Sequence, residues 1–420
     1  MVELLIMHSP DVNALTNTSM NISLNKKWDL PVTLVVNDSD MLATLCARWR
    51  EEKVVALDTE FIREKTFFPI LGLIQAADSK GLYLIDPLSD IDFTPFSAIL
   101  SDESVTKVLH ACGEDLDVFA HFCGVLPSPI FDTQVAAAYC GMDTQMGYQR
   151  IVQALYDISL DKHQTRSNWL QRPLSDEQLS YAAEDVRFLL DMHVVFTERL
   201  NDKERLPWVE EECQALITRG RALDASHTYY LKFRNACHLS YEQQKFLQSL
   251  CIWREDAART RDRPKGFILQ EACLLPIAEA MPESMGDLRG IQGLGARGAS
   301  RYGEIILSLV KKVGEESPDE SFEMIPPPLR KESKPLLDAL KKASSNKAKE
   351  LDLKPELLLR RKTLEKIFQK LLKSESNELE GVLQGWRAPL LLPLISKVSS
   401  QHATLIERLR SHSQITKVEQ

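Results

Sequence analysis

No two of the eight cysteines (Cys46, Cys112, Cys123, Cys140, Cys213, Cys237, Cys251 and Cys273) stand in a CxxC pair. That argues against a zinc site, and their scatter predicts reduced, mostly buried thiols in a cytoplasmic protein rather than a disulfide framework. No apolar run approaches ~18 residues, so the sequence offers no membrane span. The opening stretch MVELLIMHSP lacks a basic n-region and a small-residue cleavage pattern, and no signal peptide is expected. No GxxxxGKS or GxxxxGKT occurs, and the one glycine-rich stretch follows no strand, which argues against a nucleotide-binding loop.

What is present is a soluble, globular composition in a chain long enough for two to four domains: 420 residues, 44% hydrophobic and 26% charged. The net charge of −9 is unevenly spread. From Ile325 onward there are 19 Lys and Arg against 11 Asp and Glu, leaving 32 against 49 in the rest. This suggests a carboxylate-rich catalytic part and a basic accessory part that touches polyanions; solvated Lys-rich helix faces are the equally weighted alternative.

Residues 1–30 show no strong periodicity and read as a poorly ordered extension, with Met20 as another candidate start. From 31 to about 220, short apolar runs (VTLVV, KVVALDTEF, LGLIQAAD, GLYLIDPL, KVLHAC) precede helical stretches, the first of them capped by Ser39. A mixed sheet flanked by helices is expected. Residues 239–315 and 328–410 read as two small all-helical domains with a similar late element, in the manner of a divergent tandem repeat, joined by an acidic, then proline-rich linker at 316–327.

Chemistry concentrates in carboxylates. In VVALDTEFIRE, Asp58 and Glu60 lie two apart on a strand and therefore share a face. Asp115 in LHACGEDLDVF opens a helix, and in SYAAEDV Tyr181 and Asp185 lie four apart on another, which the Ser175/Gln178 capping-box spacing starts. Alone, the Asp-Thr-Glu triplet is weak, since an acidic strand end is more often solvated or paired with Arg63 or Lys65. Four converging carboxylates would repel strongly unless cations neutralised them. Mg²⁺ or Mn²⁺ best suits an oxygen-only ligand set. Two such ions roughly 3.5–4 Å apart suit an in-line phosphodiester displacement.

The sequence resembles the ribonuclease D family of DEDD 3′→5′ exonucleases, in the subclass with a tyrosine in its third motif. The three motifs stand in order as LDTEF, HACGEDLDVF and YAAEDV, flanked by FFPILGLIQ, LYLIDPL, FDTQVAAAYCG and SNWLQRPLSDEQLSYAAEDV. The resemblance covers about 32–400. It implies a ribonuclease H-like α/β exonuclease domain followed by two HRDC-like helical domains, helping to form a ring or funnel that admits a 3′ single-stranded end. It implies that Asp58, Glu60, Asp115 and Asp185 hold two divalent metal ions (Mg²⁺ or Mn²⁺), with Asp58 bridging, and that Tyr181 orients the attacking water. It further implies removal of 3′ extensions from precursor tRNA and other small structured RNAs as nucleoside 5′-monophosphates, by a monomer with no obligate protein partner and no membrane. A DNA-directed exonuclease, or a nucleic-acid-binding protein with a non-catalytic nuclease scaffold, is the alternative.

Other residues admit two readings. His110 either contacts substrate or is a buried histidine satisfied by backbone, and Phe61 either stacks on the terminal base or belongs to the core. Asp132 is read as a helix N-cap, and Gln75 and Trp169 as structural. The run with Gly290, Gly293, Gly295, Gly298 and Gly303 is either a phosphate-contacting helix–turn–helix or a tight helix junction. Arg360, Arg361, Lys362, Lys366 and Lys370 form a basic helix that tracks a phosphate backbone, as a hypothesis.

Overall fold

The computed structural model describes residues 33–160, 167–221, 226–373 and 379–418; the expected extension at 1–30 lies outside them. In chain order the first part comprises β1 (Thr33–Val36), α1 (Ser39–Glu52), β2 (Val54–Ile62), β3 (Ile70–Ala77), β4 (Leu82–Ile85), α2 (Thr94–Ser101) and β5 (Thr106–Leu109). Then follow α3 (Gly113–Phe122), β6 (Ile130–Asp132), α4 (Thr133–Tyr139), α5 (Tyr148–Tyr156), α6 (Asp176–Arg187), α7 (Leu189–Asp202) and α8 (Leu206–Arg221). The strands form one mixed sheet in the order β1-β4-β3-β2-β5-β6, with β2 antiparallel to β3 and parallel to β5. Leu57, Ile74, Val108, Phe119 and Phe196 are among the side chains buried in its core.

Local chemistry moved several expected boundaries. Ser39 does not cap α1: the Asp38 carboxylate takes the Met41 N–H at 2.8 Å, while Ser39 accepts from Asp92 N–H. KVLHAC leaves the sheet after Leu109, because Ala111 has a φ of 55°. The three-residue β6 was not expected; it is too short to show an alternating pattern. The helix that starts after Ser175 ends at Phe188, whose N–H is donated to the Tyr148 hydroxyl, while that hydroxyl donates to Glu184 O; a second helix follows at once.

The first helical unit has its own core, built from helices such as Tyr241–Thr260 and Gly295–Glu315. Within its glycine run, Gly293 and Gly295 take positive φ in the turn between two helices, and Gly303 is packed against the Met285 side chain. The segment read as a linker packs on this unit: Phe322 stacks on Tyr230 at 5.2 Å and Ile325 is buried. Burial of these two apolar groups offsets the freedom a linker would keep. The second helical unit shares a core with the sheet domain. Trp386 stacks on Trp208 at 4.4 Å and meets Tyr139 edge-on, and its N–H is donated to Glu211. Gly385 (φ 58°) precedes it, and any Cβ there would collide with the Glu211 carboxylate. Each pair of the three bodies is in contact, since Asp262 of the first helical unit accepts from Phe67 and Phe68 N–H and Arg234 pairs with Glu365 of the second at 2.9 Å.

Candidate active site

The central strand β2 outruns its parallel neighbour. Pairing with β5 ends at Ala56, whereas pairing with β3 continues to Ile62. Asp58 and Glu60 therefore lie beyond the carboxyl end of β5, the usual place for sites in open α/β sheets. Their register partners on β3 are Gln75 and Leu73, and a register shift between Glu60 and Phe61 marks a bulge beside the carboxylates. Leu73 packs with Trp169 and Ala182, so this face of β2 and β3 is the one α6 covers.

Two helices complete the cluster. The chain turns after β5 through Ala111 and starts α3 with Glu114 and Asp115 in its first turn, where the helix dipole favours negative charge. Asp132 holds that turn: it accepts from Ala111 and Cys112 N–H while capping α4 through Gln134 and Val135 N–H. The capping box that starts α6 is complete, with Gln178 N–H donating to Ser175 Oγ and Ser175 N–H to Gln178 Oε1. One face of α6 then presents Tyr181 and Asp185 toward β2.

Electrostatics show that the four carboxylates form one system. Burial first, then the charges of Asp115, Asp185 and Glu60, hold the Asp58 carboxyl well above its usual range. Glu60 is pushed up to about 8 by burial, then by Asp185 and Asp115. Asp185 rises to about 7 by burial, against the hydrogen bond it accepts from Tyr181. Asp115 rises to about 6, again by burial, although Thr59 donates to its Oδ1 at 2.5 Å. The Tyr181 hydroxyl is pushed above its ordinary range by burial and by Asp185, Glu60 and Asp58, so it stays protonated and serves as a donor. Arg63, a candidate neutraliser of the pair, instead engages Asp117 at 3.3 Å.

This donor set suits a hard divalent cation: all ligating atoms are carboxylate oxygens, and each carboxyl is held up by burial and neighbouring negative charge. Among the described residues no group of three or more His, Cys, Asp or Glu is placed to hold a metal ion as it stands. Thr59 occupies Asp115 and Tyr181 occupies Asp185 through side-chain hydrogen bonds.

Several contributors were not legible in the sequence. Thr59 lies on the opposite face of β2 from its acidic neighbours, yet it reaches Asp115. Trp169, buried, lies 6.2 Å from the Tyr181 ring and backs it. Its loop sits so close to β3 that a Cβ on Gly72 would fall 2.8 Å from Trp169 atoms. Arg172 clamps the loop, donating to Gly72 O, Trp169 O and both Asp86 oxygens. Both polar ends of the fully buried Gln75 side chain lack hydrogen-bond partners among the described residues. His110 bonds Thr133 at 2.9 Å and is held below its ordinary range by burial; Phe61 packs half-buried against the core.

Comparison with known proteins settles the family. The 3′-5′ exonuclease family profile matches residues 34–201 and the HRDC domain profile residues 243–310. The chain is 39% identical over 352 residues to ribonuclease D of Pseudomonas paraeruginosa, covering 84% of this chain and 93% of that one. The chain belongs to the ribonuclease D family. It is also 34% identical over 375 residues to Escherichia coli ribonuclease D, covering 88% and 98%. The crystal structure of that E. coli enzyme, an exoribonuclease involved in structured RNA processing, superposes with a TM-score of 0.79 at 33% identity, over 89% of this chain and all of that one. The protein is thus a 3′→5′ exoribonuclease with an exonuclease sheet domain and a helical HRDC domain, and family membership implies dependence on divalent metal. Among the described residues no helix is long and apolar enough to cross a membrane, and all eight cysteines are free thiols.

Proposed function

We propose that Asp58, Glu60, Asp115 and Asp185 hold two divalent metal ions and that the enzyme removes 3′ extensions from precursor tRNA and other small structured RNAs, one nucleoside 5′-monophosphate at a time. The observation that carries this reading is the meeting of acidic side chains from three elements: Asp58 and Glu60 at the overhanging end of β2, Asp115 of α3 bonded to Thr59 between them, and Asp185 on the face of α6 turned to β2. When bound, such ions lower the pKa of an attacking water and offset charge on the leaving oxygen. The chain's own contribution is placement. Asp58 and Glu60 are fixed by the β2–β3 ladder, and Asp115 by its Thr59 bond and the Asp132-held turn. Tyr181, backed by Trp169, keeps its proton; its one O–H, given to Asp185 in this structure, would turn to the attacking water and orient it. Its raised pKa removes it as a base.

The division into a catalytic domain at 31–220, helical domains at 239–315 and 328–410 and a connection at 316–327 is the one this reading adopts, with the chain acting as a cytoplasmic monomer. In the basic segment of the second helical domain, Arg360 lies just before the helix Arg361–Lys373 and pairs with Glu212 at 3.9 Å, while Arg361 pairs with Glu365. Part of that charge is therefore spent within the protein.

The test incubates wild type and Asp58→Ala with a 3′-tailed tRNA stem, an RNA oligomer and a DNA oligomer of matched sequence, in Mg²⁺, in Mn²⁺ and in EDTA. Stepwise RNA shortening that stops near the stem, needs metal and disappears in the variant is expected. Faster loss of DNA would overturn the substrate, and metal-independent shortening would overturn the site.

A further inference from the structure

Gln75 lies directly across the β2–β3 ladder from Asp58, so the two side chains share a face. Its side chain is fully buried, and among the described residues neither Nε2 nor Oε1 has a hydrogen-bond partner. A buried amide left in that state destabilises the chain, where an apolar side chain of similar size would not. On its other flank Gln75 is opposite Leu84 of β4, which packs with Leu73, Trp169 and Ala182 under α6. The indole in this small core is a second orphan: Trp169 Nε1–H is buried and also lacks a partner among the described residues.

The unused groups match in kind. Among the described residues, the donor to the Asp58 carboxyl is the backbone N–H of Thr59, whereas a carboxylate has about four lone-pair sites. Directly opposite residues of an antiparallel pair have Cβ atoms ~4.5–5.5 Å apart, a gap that a glutamine side chain spans when it turns toward the neighbouring strand. Gln75 therefore offers Asp58 a donor, and Trp169 offers Gln75 Oε1 one. The donor is neutral, so it aims a carboxylate without competing with a cation for it, as a lysine or arginine would. Carboxylates that ligate metals are oriented by hydrogen bonds of this sort on their remaining lone pairs.

We propose that Gln75 is a positioning residue for the reaction: its Nε2–H donates to the Asp58 carboxylate and holds it in the orientation that receives metal, while the Trp169 indole N–H anchors Oε1. This rests on Asp58 being a metal ligand. Neither bond is made in the structure as it stands; both form in the metal-loaded enzyme. The orientation of Asp58 is then tied to the loop that Arg172 clamps and that backs Tyr181, so one support serves both the metal and the water.

The test titrates the full chain with Mn²⁺ alone by isothermal titration calorimetry, as wild type, Gln75→Met, Trp169→Phe and Asp58→Asn, and then assays each on an RNA oligomer over a range of Mn²⁺. Methionine keeps the length of the side chain and removes both hydrogen-bonding ends; phenylalanine keeps a ring in place and removes Nε1–H. Melting in EDTA is measured first, and Gln75→Leu takes the place of Gln75→Met if that variant does not fold. Gln75→Met is expected to bind Mn²⁺ about 10–100-fold more weakly, with a lower kcat partly restored at high Mn²⁺, a nearly unchanged KM for RNA and a melting temperature in EDTA no lower than that of wild type. Trp169→Phe should weaken Mn²⁺ binding by a smaller factor, and wild-type affinity in it overturns the anchor. Wild-type affinity and kcat in Gln75→Met overturn the positioning role, as does a loss that accompanies a fall in melting temperature in both glutamine variants, which packing alone would produce. If Asp58→Asn loses Mn²⁺ binding and Gln75→Met keeps it, the metal site stands and Gln75 has no part in it. If Asp58→Asn binds Mn²⁺ as wild type does, the assignment of Asp58 as a ligand is itself wrong.

Discussion

At the scale of single residues, the site is a place where like charge has been concentrated. Asp58→Asn removes a member of that cluster, so turnover should fall by roughly 10³-fold or more, while the metal-free fold becomes more stable as repulsion on Glu60, Asp115 and Asp185 is relieved. Rate assays and melting in EDTA read the two effects separately, and a fall in both would mean that Asp58 is structural. Tyr181→Phe should lower kcat by roughly 10–100-fold with KM nearly unchanged, because it removes orientation rather than binding. Gln75→Leu should raise stability by about 1–3 kcal/mol in urea unfolding, since both ends of a buried amide have no partner among the described residues; a loss of stability would show that the amide has a partner. The pairing of Asp58 with Glu60 and of Tyr181 with Asp185 was legible because spacings of two on a strand and four on a helix put side chains on one face; Asp115 has no such spacing to them. Thr59, Gln75 and Trp169 were not, because their contacts cross between elements and leave no mark in local spacing.

Among elements, β2 and α6 carried the clearest signals. The apolar run of β2 and the Ser175/Gln178 box at the start of α6 fixed both by local chemistry alone. The bulge after Glu60, the end of β5 at Leu109 and the break at Phe188 depend on tertiary partners such as Tyr148, and no periodicity announces them. The loop carrying Trp169 is the least legible part, although it is pressed against Gly72. Gly72→Ala should push that loop outward, at a cost of about 1–3 kcal/mol, and tilt the support behind Tyr181. Steady-state kinetics should then show a lower kcat with little change in KM; unchanged kinetics in a destabilised protein would separate the loop from the site.

For the whole molecule, charge at the site couples to folding. The Glu60, Asp115 and Asp185 carboxyls have raised folded-state pKa values, about 8, 6 and 7, so between about pH 4 and 8 the folded chain holds more protons than the unfolded one. Metal-free stability should therefore be greatest toward the acid side of that window and fall as pH rises through it, by roughly 1.4 kcal/mol per pH unit for each extra proton held. A ligand at a hundred times its Kd adds about 2.7 kcal/mol, so Mg²⁺ or Mn²⁺ should flatten the alkaline fall. Melting curves from pH 5 to 8.5 with and without metal test this, and a pH-independent midpoint in EDTA would refute it. The shared core between the sheet domain and the second helical unit also has a consequence for synthesis. Trp208 and Tyr139 emerge long before Trp386, and at ~5–20 residues per second the intervening stretch takes roughly 9–36 s to make. During that interval the nascent chain carries a docking face with nothing to cover it. Chains halted after residue 327 should therefore engage chaperones or aggregate, and release past Trp386 should end that exposure, which pulse-labelling of arrested chains can follow.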